Sequence, residues 1–201
     1  VLKGYRSSYT DEIVHAKAAW QKELDKLDNM EFDSSETVLV HDANAGSAGK
    51  FSKDLDARLT QTAALGAINR LIPKDSLVIG SSGSLPGDMQ RMWRPETPDS
   101  YNMEYGYSCM GYEISGALGQ KLAVPGSEVY SMVGDGSFVM LHSELLTAVQ
   151  EQIKINICLF DNAGFGCINN LQVAQGNDSL CTELRYRTGS GKHDGSFLAV
   201  D

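Results

Sequence analysis

Ser131-Met132-Val133-Gly134-Asp135-Gly136-Ser137, followed downstream by Asp161-Asn162-Ala163-Gly164-Phe165-Gly166, decides how this chain folds. Val129 to Val133 reads as a strand and Ile153 to Phe160 as another, rich in β-branched residues. Glu144 to Gln152 reads as a helix between them. A right-handed crossover joins parallel strands, so both strands bring their C-terminal ends to one edge of the sheet. Asp135 and Asn162 then stand side by side over the crevice where open α/β sheets bind ligands. Either half alone also reads as a plain turn, because glycine tolerates positive φ and aspartate bonds its own backbone. The pair is more specific than its halves.

The same alternation extends upstream. Leu59 to Leu71 reads as a helix ended by Pro73, and Leu77-Val78-Ile79 as a short buried strand running into Gly80-Ser81-Ser82-Gly83-Ser84. A loop carrying Pro86, Pro95 and Pro98 follows, then a helix from about Met110 to Leu122 whose small residues fit close packing. This pattern predicts an α/β fold with an open, mainly parallel sheet and helices on both faces. Residues 10 to 28 form an amphipathic surface helix, with Ile13, Ala16, Trp20, Leu24 and Leu27 on one stripe. A polar passage with the apolar run Val38-Leu39-Val40 follows it. Residues 1–54 are expected to be the tail of a preceding domain plus a linker. Residues 55–201 are expected to be one domain, cut at its C-terminus after Phe197 to Val200.

Composition narrows the function. The net charge of −9 opposes phosphate backbones, so nucleic acid is not an expected partner. It also requires a local device, a cation or backbone N–H groups, for any anionic ligand. No apolar stretch reaches the ~18 residues of a membrane span. Cys109, Cys158, Cys167 and Cys181 form no C-x-x-C pair, so a disulfide framework or zinc site is not expected and a reduced cytoplasmic location is. One carboxylate (Asp135), one amide oxygen (Asn162) and a nearby main-chain carbonyl suit Mg²⁺, which fills its remaining positions with phosphate and water. Glycines at 134, 136, 164 and 166 let backbone N–H groups approach an anion.

Gly134-Asp135-Gly136, the spacer 137 to 160, and Asp161-Asn162 together resemble the signature of thiamine-diphosphate-dependent enzymes. The resemblance implies metal ligands at Asp135, Asn162 and the main chain of Gly164, with Ser137, Ala163, Phe165 and Gly166 at the cofactor. Asp161 stands where the family has its first asparagine, which leaves the ligand itself intact. Gly106-Tyr107-Ser108-Cys109-Met110-Gly111 resembles a second segment of the acetohydroxyacid-synthase-like members. It implies Met110 as a wedge that bends the cofactor and the Ser108 carbonyl as acceptor for its aminopyrimidine; a core methionine is the plain alternative. Gly83-Ser84-Leu85 resembles a third contact segment, or is a serine-rich turn.

The wording between these motifs, Gly83 to Asp88, Trp93-Arg94-Pro95 and Glu104 to Glu113, is similar to the trihydroxycyclohexanedione hydrolase family of myo-inositol breakdown. That implies opening of a small polyhydroxy cyclic diketone to 5-deoxy-glucuronate, with the cofactor as electron sink. Two other readings stay open: an acetohydroxyacid-synthase-like enzyme acting on 2-keto acids, and a Mg-dependent nucleotide- or phosphate-binding module. Arg91, Arg94 and Glu104 read first as surface charge or loop anchors, His142 as a helix-start residue, and Cys109 as packing. The resemblance also implies an activating glutamate on a pyrimidine-binding domain of a partner subunit, in a homo-oligomer. No catalytic residue is assigned here, and the chain alone is expected to be inactive.

Overall fold

A computed structural model describes residues 9–31, 59–162, 164–178, 180–182, 184–187 and 193–196. The run 38–40, the segment 197–200 and Ala163 lie outside the described residues. Four parallel strands, β1 (Leu77–Gly80), β2 (Tyr101–Met103), β3 (Val129–Gly134) and β4 (Asn156–Phe160), form a sheet in the order β2-β1-β3-β4. Gly80 pairs with Met103, and Gly134 with Phe160, so the strand ends are level along one edge. The chain leaves β1 for β2 on one side and returns to β3 on the other. This reversal opens a crevice between β1 and β3.

Alternating side chains divide the core between the two faces of the sheet. Val78 and Met132 point to one face, where α2 (Gln61–Leu71) and α3 (Ser84–Met92) cover them with Leu65, Leu85 and Met89. Ile79 and Val129 point to the other, against Ala117 of α4 (Tyr112–Ala123). The α/β fold with helices on both faces is thus observed. At about 25 cal/mol per Å² of apolar area removed from water, fully buried side chains such as Leu65, Ile79 and Met132 each contribute roughly 1.5–3 kcal/mol.

The helix α1 (Tyr9–Asp28) docks only by its last turns: Leu24 and Leu27 join the first core cluster. Leu27 O accepts from the Thr62 hydroxyl at 2.9 Å, and Arg70 pairs with Asp28. Ile13 and Trp20, on the same stripe, are exposed.

Several elements differ from the sequence reading. The proline loop is in part a helix, α3, because Pro86 sits in the first turn, where its missing N–H has no intrahelical partner to lose. The edge strand β2 is three residues long and carries no apolar run. Two helices were not expected: α5 (Asp135–Met140), starting inside the glycine–aspartate–glycine triplet, and α7 (Gly166–Ala174), after the second triplet. The helix α6 (Glu144–Gln150) ends, and β4 starts, within a residue or three of expectation. An antiparallel hairpin, β5 (Arg185–Arg187) with β6 (His193–Ser196), completes the described elements.

Candidate functional site

A cleft of about 220 Å³ opens at the level strand ends. The segments after β1, β3 and β4 line it, together with the turn before α4. Gly83, Ser84, Leu85, Ser108, Met110, Gly134, Asp135, Gly136, Ser137, Asn162, Gly164, Phe165 and Gly166 all face this one space. Every described residue that the sequence singled out for ligand or metal is therefore brought together.

Oxygens converge at its floor. Asp135 is buried, 1% exposed, and its Oδ2 accepts from the Gly164 N–H at 2.6 Å. The Asn162 amide turns one terminal atom toward the cluster, 3.1 Å from Asp135 Oδ1 and 2.8 Å from Gly164 O. That atom is the NH₂ nitrogen, which donates to both oxygens. Burial pushes the Asp135 carboxyl up to about 6, and the neighbouring Asp161 charge adds to this, against the Gly164 and Gly136 N–H groups that favour the anion. The donor set holds one carboxylate. Consistently, no group of three His, Cys, Asp or Glu fit for a metal occurs among the described residues.

Unspent backbone donors surround the floor. The nine-residue helices α3 and α7 both start on the cleft, behind Gly83 and Phe165, and neither start has a side-chain cap. Their first N–H groups thus lack intrahelical partners and carry the positive end of the helix dipole. By contrast α2 is capped by Thr60, which accepts from the Ala63 N–H. The buried Ser82 hydroxyl, also on the cleft, has no protein partner. Gly136 needs its lack of a side chain: a Cβ there would lie 2.7 Å from the Phe165 ring.

The turn carrying Ser108 and Met110 is held from three sides. Glu104 accepts from the N–H groups of Tyr107 and Cys109, each at 2.8 Å, which keeps its carboxyl below the ordinary range. Ser81 donates to Cys109 O at 2.6 Å, and Gly111 N–H donates to Glu113 Oε2 at 2.8 Å. Ser108 is forced to φ +54° and Gly111 to φ +95°, the latter a place where a side chain would also strike Leu141. A left-handed serine costs about 1–2 kcal/mol and persists where its surroundings enforce it.

The singled-out residues away from the cleft have other partners. Glu104 is a loop anchor. Arg91 pairs with Glu23 and Asp88, and the Arg94 N–H donates to Asn69 Oδ1 at 2.7 Å. His142 lies between α5 and α6, stacked on Phe138 and bonded to its carbonyl. Gln61, Ser82, Phe160, Cys167 and Ile168 line the cleft without having been singled out. Cys167 and Ile168 follow from extending the second triplet into a helix start. Gln61 lies on a distant element and carries no local signal.

The sequence matches the family described as "Thiamine pyrophosphate enzyme, C-terminal TPP binding domain" over residues 81–197, more than half of the chain. The chain belongs to this family. Thiamine pyrophosphate is thiamine diphosphate, and the matched region contains the thirteen cleft residues that the sequence had singled out. Over 197 residues the chain is 57% identical to a 3D-(3,5/4)-trihydroxycyclohexane-1,2-dione hydrolase of Clostridium perfringens. It is 54% identical to the one of Bacillus thuringiensis and 52% to the one of Clostridium botulinum. These alignments cover 98–99% of the chain but 31% of each relative, so the chain spans about a third of their length. No described helix is long and apolar enough to cross a membrane.

Proposed function

We propose that this chain is the cofactor-holding part of a thiamine-diphosphate-dependent hydrolase that opens 3D-(3,5/4)-trihydroxycyclohexane-1,2-dione to 5-deoxy-glucuronate, and that it holds Mg²⁺ through Asp135, Asn162 and the Gly164 carbonyl. The observation that carries the metal assignment is the convergence of the Asp135 carboxylate, the Asn162 amide and the Gly164 carbonyl at the floor of the cleft. An octahedral Mg²⁺ with ligands at about 2.0–2.1 Å sets neighbouring ligands about 3.0 Å apart. The Asn162 atom lies 2.8 and 3.1 Å from its two oxygen neighbours. The amide rotation then has a use: NH₂ inward seals the cluster without metal, and oxygen inward completes the ligand set.

When bound, thiamine diphosphate supplies the electron sink for breaking a carbon–carbon bond beside a carbonyl. The protein's part is to bind and orient. The uncapped starts of α3 and α7, with the Ser82 and Ser137 hydroxyls, receive the diphosphate. The Ser108 carbonyl accepts from the aminopyrimidine, and Met110 supports the bent cofactor. Gly83, Ser84, Leu85, Gly134, Gly136, Phe165 and Gly166 shape the walls. The substrate and the hydrolytic outcome rest on the relatives' name and on identity above 50% along the chain. A pyrimidine-binding domain of a partner subunit, with its activating glutamate, a homo-oligomer and a cytoplasmic location complete the proposal.

Calorimetry on the full-length protein tests it: thiamine diphosphate binds only with Mg²⁺ present and displaces ATP. Preference for nucleotides would instead indicate a regulatory module. A panel of the cyclic diketone and 2-keto acids then tests the substrate; turnover of 2-keto acids alone would refute the hydrolase assignment. The 201-residue chain by itself is inactive on the diketone.

A further inference from the structure

Among the described residues lining the cleft, Gln61 alone lies outside the family match at 81–197; the others all fall between Ser82 and Ile168. The part of the cleft that the family has in common is thus built without it. Gln61 opens α2, and this start is tied down on both sides. The Thr60 hydroxyl donates to Met30 O at 3.0 Å, and the Thr62 hydroxyl to Leu27 O at 2.9 Å. Both bonds fasten the first turn of α2 to the end of α1 and the turn after it.

Between these anchors the half-buried Gln61 donates from Nε2 to Asp88 Oδ2 of α3 at 2.7 Å. Asp88 Oδ1 lies 3.5 Å from Arg91, which also pairs with Glu23. The carboxamide is therefore held in place between α2 and α3. Its Oε1 accepts from no described residue.

An amide oxygen without a partner, on a ligand cleft, calls for a donor in the ligand. Diphosphate offers acceptors alone. In the reading proposed above, the aminopyrimidine donor goes to the Ser108 carbonyl. A 2-keto acid brings a carboxylate and a carbonyl, acceptors again. Ring hydroxyls are donors, and the diketone in the relatives' name carries three. A site built to bond a substrate hydroxyl also rejects analogues without it, because its own polar group is then left unpaired.

We infer that Gln61 is a specificity-determining residue: its amide oxygen accepts a hydrogen bond from a ring hydroxyl of the substrate and so separates a polyhydroxy ring from substrates whose polar groups only accept. This rests on the substrate reading proposed above.

The test uses the full-length protein and its Q61M variant, in which a side chain of similar length lacks the amide. Two diketones are compared: the trihydroxy compound, and cyclohexane-1,2-dione, which lacks the ring hydroxyls, as substrate or competitive inhibitor. Q61M is expected to raise KM for the trihydroxy compound about five- to tenfold, with kcat within about twofold. KM or Ki for cyclohexane-1,2-dione, and the calorimetric Kd of thiamine diphosphate with Mg²⁺, should stay within about twofold of wild type. An equal loss on both diketones would mean that Gln61 only shapes the cleft, and a weakened cofactor Kd that it serves the cofactor. Either result overturns the inference, as does an unchanged KM. If Q61M fails to fold, Q61A on the same panel decides by the same outcomes. Wild-type protein that opens no cyclic diketone would end the substrate reading and this inference together. Wild-type turnover with its preference for the hydroxylated ring kept in Q61M would end the Gln61 assignment alone.

Discussion

Replacing Asp135 by asparagine is expected to stabilise the metal-free chain and abolish cofactor binding at once. The carboxyl is buried beside Asp161 and pushed up to about 6 from an ordinary 3.8. Ionising it at neutral pH therefore costs the native state about 2–3 kcal/mol at 1.36 kcal/mol per pH unit. The sign follows from linkage: a raised native pKa gives stability that is full below about pH 4 and lost as pH rises through about 6. Asparagine has the same shape, keeps an oxygen for the Gly164 N–H, and can turn its NH₂ toward the Asn162 oxygen. At pH 7.5, D135N should gain about 1–3 kcal/mol in urea unfolding of the metal-free chain, and this gain should vanish near pH 4. In the full-length protein the same variant should lose the rise in melting temperature that Mg²⁺ and thiamine diphosphate give wild type. Destabilisation of the metal-free chain at pH 7.5, or a preserved cofactor-induced rise, would refute the reasoning.

Because a metal needs the ionised carboxylate, Mg²⁺-dependent cofactor affinity should rise about tenfold per pH unit up to about 6 and level off above, measured by calorimetry from pH 5 to 8. An affinity flat across that range would exclude Asp135 as ligand. G136A places a methyl against the Phe165 ring; it should cost about 1–3 kcal/mol in urea unfolding and weaken cofactor binding at least tenfold, and wild-type affinity would show that the ring moves freely. L27A removes a buried contact between α1 and the core cluster and should cost about 2–4 kcal/mol in urea unfolding of the chain; a loss below about 1 kcal/mol would mean that α1 is held elsewhere.

The parallel sheet was legible because β1, β3 and β4 carry apolar runs that end in glycine or aspartate. The edge strand β2 has no such run: Tyr101, Asn102 and Met103 are each only half-buried, and pairing to β1 alone makes them a strand. Pro86 misdirected the reading of α3, since a proline marks a loop everywhere except in a helix's first turn. α5 and α7 escaped notice for a related reason. Glycine-rich triplets read as turns, and here each runs straight into a helix that its own residues begin.

At the site, the residues that a signature names were legible, and those that act through other residues were not. The meeting of Asp135 and Asn162 follows from spacing along two neighbouring strands, and Gly164 enters only through the resemblance. Glu104 showed its charge in the sequence but not its use, which lies in the two N–H groups it gathers.

The carboxylates of Glu104 and Asp135 also bear on how a chain of net charge −9 could take a doubly charged anion. Glu104 spends its charge on the Tyr107 and Cys109 N–H groups, and Asp135 spends one oxygen on the Gly164 N–H. On the cleft side the starts of α3 and α7 keep their first N–H groups uncapped. The field that a diphosphate meets is therefore set by a few oriented donors at short range. Exposed charge further off is screened over about 8–10 Å of physiological salt. Raising the salt concentration should thus change cofactor affinity little. A steep dependence on ionic strength would mean that long-range charge, and not the oriented N–H groups, governs binding.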